Sequence, residues 1–189
     1  IYYSISVLMM SGIRDILIIS TPRDIIFFKN LFGNGKKFWL KLNYAIQEQP
    51  KGIAQALIIG EKFIDRSPFA LMLGDNFFYG NNLEEILVSS SKKNISTIFA
   101  YEVKDPTRYG IIYSDKFGKP IKIIEKPKKP KSNFAVTGLY FFDNKVVALS
   151  KTLKPSKRKE LEIVDLLSKY KKIGKLKAEF IGCLLYTSD

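Results

Sequence analysis

The chain has 189 residues, 46% of them apolar, enough for one domain with a buried core and too apolar for intrinsic disorder. Its formal charge is +13, yet only five of the 31 basic residues are arginine and the lysines run along the whole length, which reads as a solvated lysine-rich surface and not as a nucleic-acid footprint. With no histidine and one cysteine, Cys183, histidine-based catalysis, histidine-ligated zinc and an internal disulfide are excluded within this sequence.

No apolar run is long enough to span a bilayer, and residues 1–10 lack the basic start and cleavage site of a signal peptide, so a soluble cytoplasmic protein with no membrane or nucleic-acid partner is expected. Tyr2 to Met10 predicts a helix stopped by Gly12, and Ile16 to Ile19 a strand buried on both faces. A helix over Asp24 to Leu31 is broken by Gly33, Asn34 and Gly35, and Leu42 to Ile46 alternates as a strand does. A helix over Ile53 to Phe63 leads into a buried strand, Phe69 to Leu73, that ends at Gly74 and Asp75. The helix Leu83 to Ser91 and the strand Thr97 to Tyr101 continue the α/β order. Tyr109 to Tyr113, the turn Asp115 to Gly118 and Ile121 to Glu125 predict a hairpin. An exposed Lys126 to Lys131 loop, a strand at Leu139 to Phe142, helices at Lys145 to Leu153 and Leu161 to Tyr170, and a strand at Leu176 to Phe180 complete one domain.

In open α/β sheets ligands bind beyond the carboxyl ends of the strands, so Asp75 is placed to hold a hard cation against phosphate oxygens. Gly74-Asp75-Asn76 is equally ordinary turn chemistry. The segment Gln47 to Ala56 joins a strand to a helix: the amide of Gln47 offers a paired donor and acceptor to a nucleobase edge, and Gly52 permits a close backbone approach at a helix N-terminus. Glu125 suits sugar hydroxyls and Lys126 suits a phosphate. Each feature alone also fits a polar loop or a surface charge.

Taken in order, Gln47 to Ala56, Leu73-Gly74-Asp75-Asn76, Arg108-Tyr109-Gly110, Glu125-Lys126-Pro127 and Ala135 to Tyr140 closely resemble the glucose-1-phosphate thymidylyltransferases of the sugar-phosphate nucleotidyltransferase family. The similarity runs from Ile1 to about Ile181 and includes Gly12 to Pro22 and Glu160-Leu161-Glu162-Ile163. It implies a Rossmann-like layered nucleotidyltransferase fold with a mainly parallel mixed sheet. It also implies transfer of a thymidylyl group from dTTP to α-D-glucose 1-phosphate, with Mg2+ as cofactor and a homotetramer as assembly. By match to the family motifs, Gln47 and Gly52 would hold the base, Asp75 the metal, and Gly110, Glu125, Lys126 and Val136 the sugar phosphate. Ala54 and Gln55 stand where uridylyl relatives usually have a glycine-histidine pair, so a uridylyltransferase is the nearest alternative. A non-catalytic nucleotide-sugar binding module is a more distant one.

The family's N-terminal strand and glycine-rich loop, with its catalytic arginine and the lysine that follows, have no counterpart here, nor has the second metal-binding aspartate. No catalytic residue is therefore identified in this stretch. Residues 1–182 are expected to be a partial nucleotidyltransferase domain without activity of its own, and Cys183 to Asp189 a non-native, adapter-derived tail.

Overall fold

The computed structural model describes residues 1–65, 67–92, 95–182 and 184–186, the last three by their backbone alone. Its elements follow in the order α1 (Tyr2–Met10), β1 (Asp15–Ser20), α2 (Ile25–Phe32), β2 (Lys41–Ile46), α3 (Ile53–Ile59), α4 (Glu61–Ile64), β3 (Phe69–Met72), β4 (Phe77–Tyr79) and α5 (Leu83–Ser91). Then come β5 (Ser96–Glu102), β6 (Gly110–Ser114), β7 (Pro120–Glu125), β8 (Phe134–Phe142), α6 (Val146–Lys151), α7 (Ile163–Lys172), β9 (Leu176–Phe180) and β10 (Leu184–Tyr186).

The centre is β8. Tyr140 and Phe142 enter one core cluster and Leu139 and Phe141 another, so its period-two pattern is apolar on both faces and the strand must lie between two layers. On one face pack α3, α6 and α7; the last is held by Ile163, Val164, Leu166, Leu167 and Tyr170, a stripe at helical spacing. On the other face lie α1, α5 and β4. A third cluster joins β1 and β2 to α1 and α2 through Ile5, Leu8, Ile16, Ile18, Ile25 and Leu42.

The expected α/β layering is present, but the expectation of a mainly parallel sheet needs correction. Among the described residues β1·β2 and β5·β9 are parallel, whereas β3·β8, β5·β8, β6·β8, β6·β7 and β10·β4 are antiparallel. The long β8 runs opposite to every neighbour, and the hairpin adds one more antiparallel ladder. The hairpin turn is built as the sequence requires: Asp115 Oδ1 accepts the N–H groups of Phe117 and Lys119, both at 2.9 Å, and Gly118 takes φ 78°.

Two strands expected to be buried are only half so. In β1, Ile16 and Ile18 are buried while Leu17 and Ile19 are not, and all of β3 is half-buried. The reason is an apolar cleft of about 810 Å³ between them, lined by both strands along their lengths and by α1 and α3. Among the described residues β1 pairs only with β2, and β3 only with β8, so each turns a strand edge toward this space. The predicted helix over residues 53–63 is broken at Gly60 into α3 and α4. The short β4 is an addition to the elements expected from the sequence. Its partner β10 belongs to the segment set aside as a tail; an apolar triplet can complete a ladder whatever its origin, while Cys183 and Thr187 to Asp189 lie outside the described residues.

Candidate active site

One edge of β8 is shared by two strands. β3 pairs with residues 139–142 and β6 meets Ala135 through Ile111, so β3 ends and β6 begins on either side of Val136 to Gly138. This fork brings Asp75, just beyond the carboxyl end of β3, to the same stretch of β8 as Gly110, the first residue of β6, and Val136. The loop after β3 is tied to it. Leu73 N–H donates to Gly138 O at 2.8 Å, and Gly138 N–H donates to Asn76 Oδ1 at 2.9 Å. Buried Asn76 in turn donates from Nδ2 to Asp75 Oδ1 at 2.9 Å, so the exposed carboxylate is oriented by a fixed amide.

Gly110 lies opposite Glu125 across β6 and β7. A Cβ on Gly110 would stand 3.2 Å from Glu125 Oε2 and 3.0 Å from Val164 Cγ2, so the glycine leaves the room that the carboxylate occupies. Lys126 N–H donates to Tyr109 O at 3.0 Å, and Lys126 holds φ 42°, a left-handed backbone that costs a non-glycine residue energy and recurs at ligand sites. Burial, and then the charge of Glu162, push the Glu125 carboxyl above its usual range, while Arg158 and Lys126 pull the other way.

The sequence alone assigns Arg158 no role. Its guanidinium grips Glu162 with Nη2 to Oε2 at 2.8 Å and Nε to Oε1 at 3.2 Å, and reaches Glu125 Oε1 at 3.4 Å and Glu160 Oε2 at 3.7 Å. Three carboxylates thus share one arginine. The available signal was its rarity among lysines and its i, i+4 spacing to Glu162.

The half of the candidate site expected to hold the nucleotide lies beyond the carboxyl ends of β1 and β2. Gln47 and Gly52 both line the cleft, with Ser20, Gly74 and Glu160; Asp75, Gly110, Glu125, Lys126 and Val136 do not line it. The halves are joined by residues 158–162. Leu161 N–H donates to Lys51 O at 2.8 Å and Leu161 O accepts from Ala54 N–H at 3.2 Å. Gly52, at φ 96°, is what allows this clasp, because a Cβ there would stand 2.5 Å from Leu161 O. Gln47 is itself held, its Nε2 donating to Gln55 Oε1 at 2.6 Å.

For a divalent cation the donor set is sparse: among the described residues no group of three or more acidic, cysteine or histidine side chains gathers to hold one. An oriented, exposed Asp75 still fits Mg2+, which keeps several waters and takes one or two carboxylates together with substrate phosphates. No described helix is long and apolar enough to cross a membrane.

A layered α/β domain with polar residues at the carboxyl ends of its strands and an oriented carboxylate, Asp75, at a sheet fork fits a class, the nucleotidyltransferases, that the comparisons name. The chain belongs to the family described as nucleotidyl transferase, whose profile matches residues 1–185. It is similar to glucose-1-phosphate thymidylyltransferases, with 48% identity to that of Neisseria meningitidis serogroup A over 96% of this chain and 45% to that of Mycolicibacterium smegmatis over 96%. It spans only 64% and 63% of the length of those relatives. A crystal structure from Bacillus anthracis, provisionally named as a glucose-1-phosphate thymidylyltransferase and holding sucrose, superposes with a TM-score of 0.89 at 35% identity, covering 99% of this chain and 76% of that one. A UDP-glucose pyrophosphorylase complexed with UDP-glucose shares the fold, with a TM-score of 0.83 at 23% identity over 97% of this chain and 79% of that one.

Proposed function

We propose that the full-length protein carrying this chain transfers a thymidylyl group from dTTP to α-D-glucose 1-phosphate, giving dTDP-glucose and pyrophosphate. The observation that carries this reading is the Leu161 clasp, which holds the Gln47–Gly52 loop against the segment bearing Arg158, Glu160 and Glu162, so that a base site and a sugar site adjoin. The high identity to named thymidylyltransferases supports the choice of donor and acceptor.

In this reading Gln47 pairs with the base edge and Gly52 keeps the loop's shape. Glu125 accepts bonds from sugar hydroxyls in the space beside Gly110 and Val136, and Lys126, with Arg158 near it, faces the sugar phosphate. A phosphate oxygen of the sugar attacks the α-phosphorus, and the bond from that phosphorus to the bridging oxygen of the leaving pyrophosphate breaks. Such a step needs in-line positioning and charge neutralisation more than a protein nucleophile, which suits a chain without histidine. Asp75 would hold Mg2+, whose contribution when bound is to neutralise developing charge on phosphate oxygens. The cleft between β1 and β3 is the seat we assign to the strand and glycine-rich loop that the family resemblance places ahead of residue 1. Alone, this stretch is then inactive. The whole protein is cytoplasmic and homo-oligomeric, a tetramer by the same resemblance.

The test supplies full-length protein with glucose 1-phosphate and each nucleoside triphosphate in turn and follows pyrophosphate release. The expected result is preference for dTTP, with UTP next. Preference for CTP or a purine nucleotide sinks the reading.

A further inference from the structure

Gln47 can read a base only if its amide is held one way round, because a half-turn about its last bond exchanges donor and acceptor. Thymine and uracil present a carbonyl acceptor beside an N3–H donor; cytosine presents an amino donor beside an N3 acceptor. A Gln47 amide free to turn would therefore suit either base in turn.

The structure contains a device that prevents this. Gln55, in the first turn of α3, reaches back so that its Oε1 accepts the Lys51 backbone N–H at 3.2 Å, a donor it shares with Gln49 O at 2.9 Å, much as a capping-box side chain does. A backbone N–H cannot reverse its polarity, so it dictates that Gln55 points its oxygen into the loop. That oxygen then dictates that Gln47 turns its Nε2 inward, at 2.6 Å. What remains outward on Gln47 is Oε1 and one N–H, the complement of an imide edge.

We propose that Gln55 is the positioning residue for base choice: a polarity relay from Lys51 N–H through Gln55 to Gln47 selects a pyrimidine carrying an imide and rejects one carrying an amino group. This rests on Gln47 being the base reader, as above. Helix capping alone predicts that losing Gln55 loosens α3 without altering which base is preferred.

The experiment measures kcat and KM for dTTP and CTP with the full-length protein and its Gln55→Leu, Gln55→Glu and Gln47→Leu variants, with thermal stability alongside. Gln55→Leu should lower the dTTP to CTP ratio of kcat/KM by about tenfold or more, chiefly through KM. Gln55→Glu, which keeps an acceptor for both N–H groups, should stay within about threefold of wild type. Gln47→Leu should also lower the ratio. If Gln47→Leu lowers it and Gln55→Leu does not, the relay is wrong and the base site stands. If Gln55→Glu falls as far as Gln55→Leu, an acceptor is not what matters and the relay is again wrong. If Gln47→Leu leaves the ratio unchanged, the base-site reading fails and the relay with it.

Discussion

Asn76 and Gly138, 62 residues apart, are joined by a buried hydrogen bond of 2.9 Å that pins the loop after β3 to the centre of β8. The approach is close enough to require glycine: a Cβ on Gly138 would stand 2.8 Å from both Asn76 Cγ and Leu73 Cβ. Gly138→Ala should therefore force this loop off the strand and cost about 1–3 kcal/mol. Urea denaturation reads the loss, and a variant as stable as wild type would show that the loop is not pinned there.

Gly52 should behave similarly for a different reason. Alanine at φ 96° is strained, and its Cβ would collide with the Leu161 peptide, so Gly52→Ala should cost about 2–3 kcal/mol and open the clasp between residues 51–54 and 161. Amide exchange at Leu161 and Ala54 checks this directly. Both should exchange faster than in wild type while Leu139, in the centre of β8, keeps its protection.

The contrast between these contacts and the rest of the molecule explains what could be read from sequence. The hairpin turn at Asp115 to Gly118, the helix Leu83 to Ser91 and the strand Leu176 to Phe180 are local: their signals lie within a few residues, and the elements stand where they are expected. The fork on β8 is a pairing choice between strands distant in sequence, and no periodicity reveals that β3 and β6 share one edge. The half-burial of β3 likewise depends on what fills the neighbouring cleft, not on the apolar run itself. At the candidate site, Gln47 and Glu125 are proposed from their chemistry and motif, whereas the place of Arg158 beside Glu125, 33 residues away, is visible only in the fold.

The Glu125 carboxyl makes stability depend on pH. Burial and Glu162 raise its folded value above the usual 4.5, so the folded chain keeps a proton that the unfolded chain has released. Its contribution is complete below the unfolded value and declines as pH rises through the folded one. Compared with Glu125→Gln, wild type should lose stability as pH rises above the usual 4.5, read as a widening gap in melting temperature. Arg158→Leu removes a charge that holds the carboxyl down, so an NMR titration of Glu125 in that variant should move further upward. A downward move would contradict the arrangement around Arg158.

Asp75→Asn keeps shape and removes a formal charge at an exposed position, so folding should be little changed. In the full-length protein turnover should drop by about 100-fold, roughly 3 kcal/mol of transition-state stabilisation, if the carboxylate holds the magnesium. Binding of Mn2+, followed by its paramagnetic effect on water relaxation in the presence of dTTP, should weaken in parallel. Wild-type turnover at ordinary magnesium would remove Asp75 from the metal site.

The apolar cleft sets the behaviour of the 189-residue chain by itself. β1 and β3 turn open edges toward it, and Leu17, Ile19 and Leu71 line it without full burial. Unpaired edges beside apolar surface favour self-association and weaken cooperative packing, while β5 and β8 are each paired on both edges and packed between two core clusters. The isolated chain should therefore bind a hydrophobic dye, form concentration-dependent oligomers in sedimentation, and exchange the amides of β1 and β3 well before those of β5 and β8. Leu71→Lys, placing a charge in the cleft, should suppress the oligomers without affecting the protection of β8. A monomer that unfolds in one cooperative step, with β1 and β3 as protected as β8, would show that the cleft is closed in solution and that no further strand is needed there.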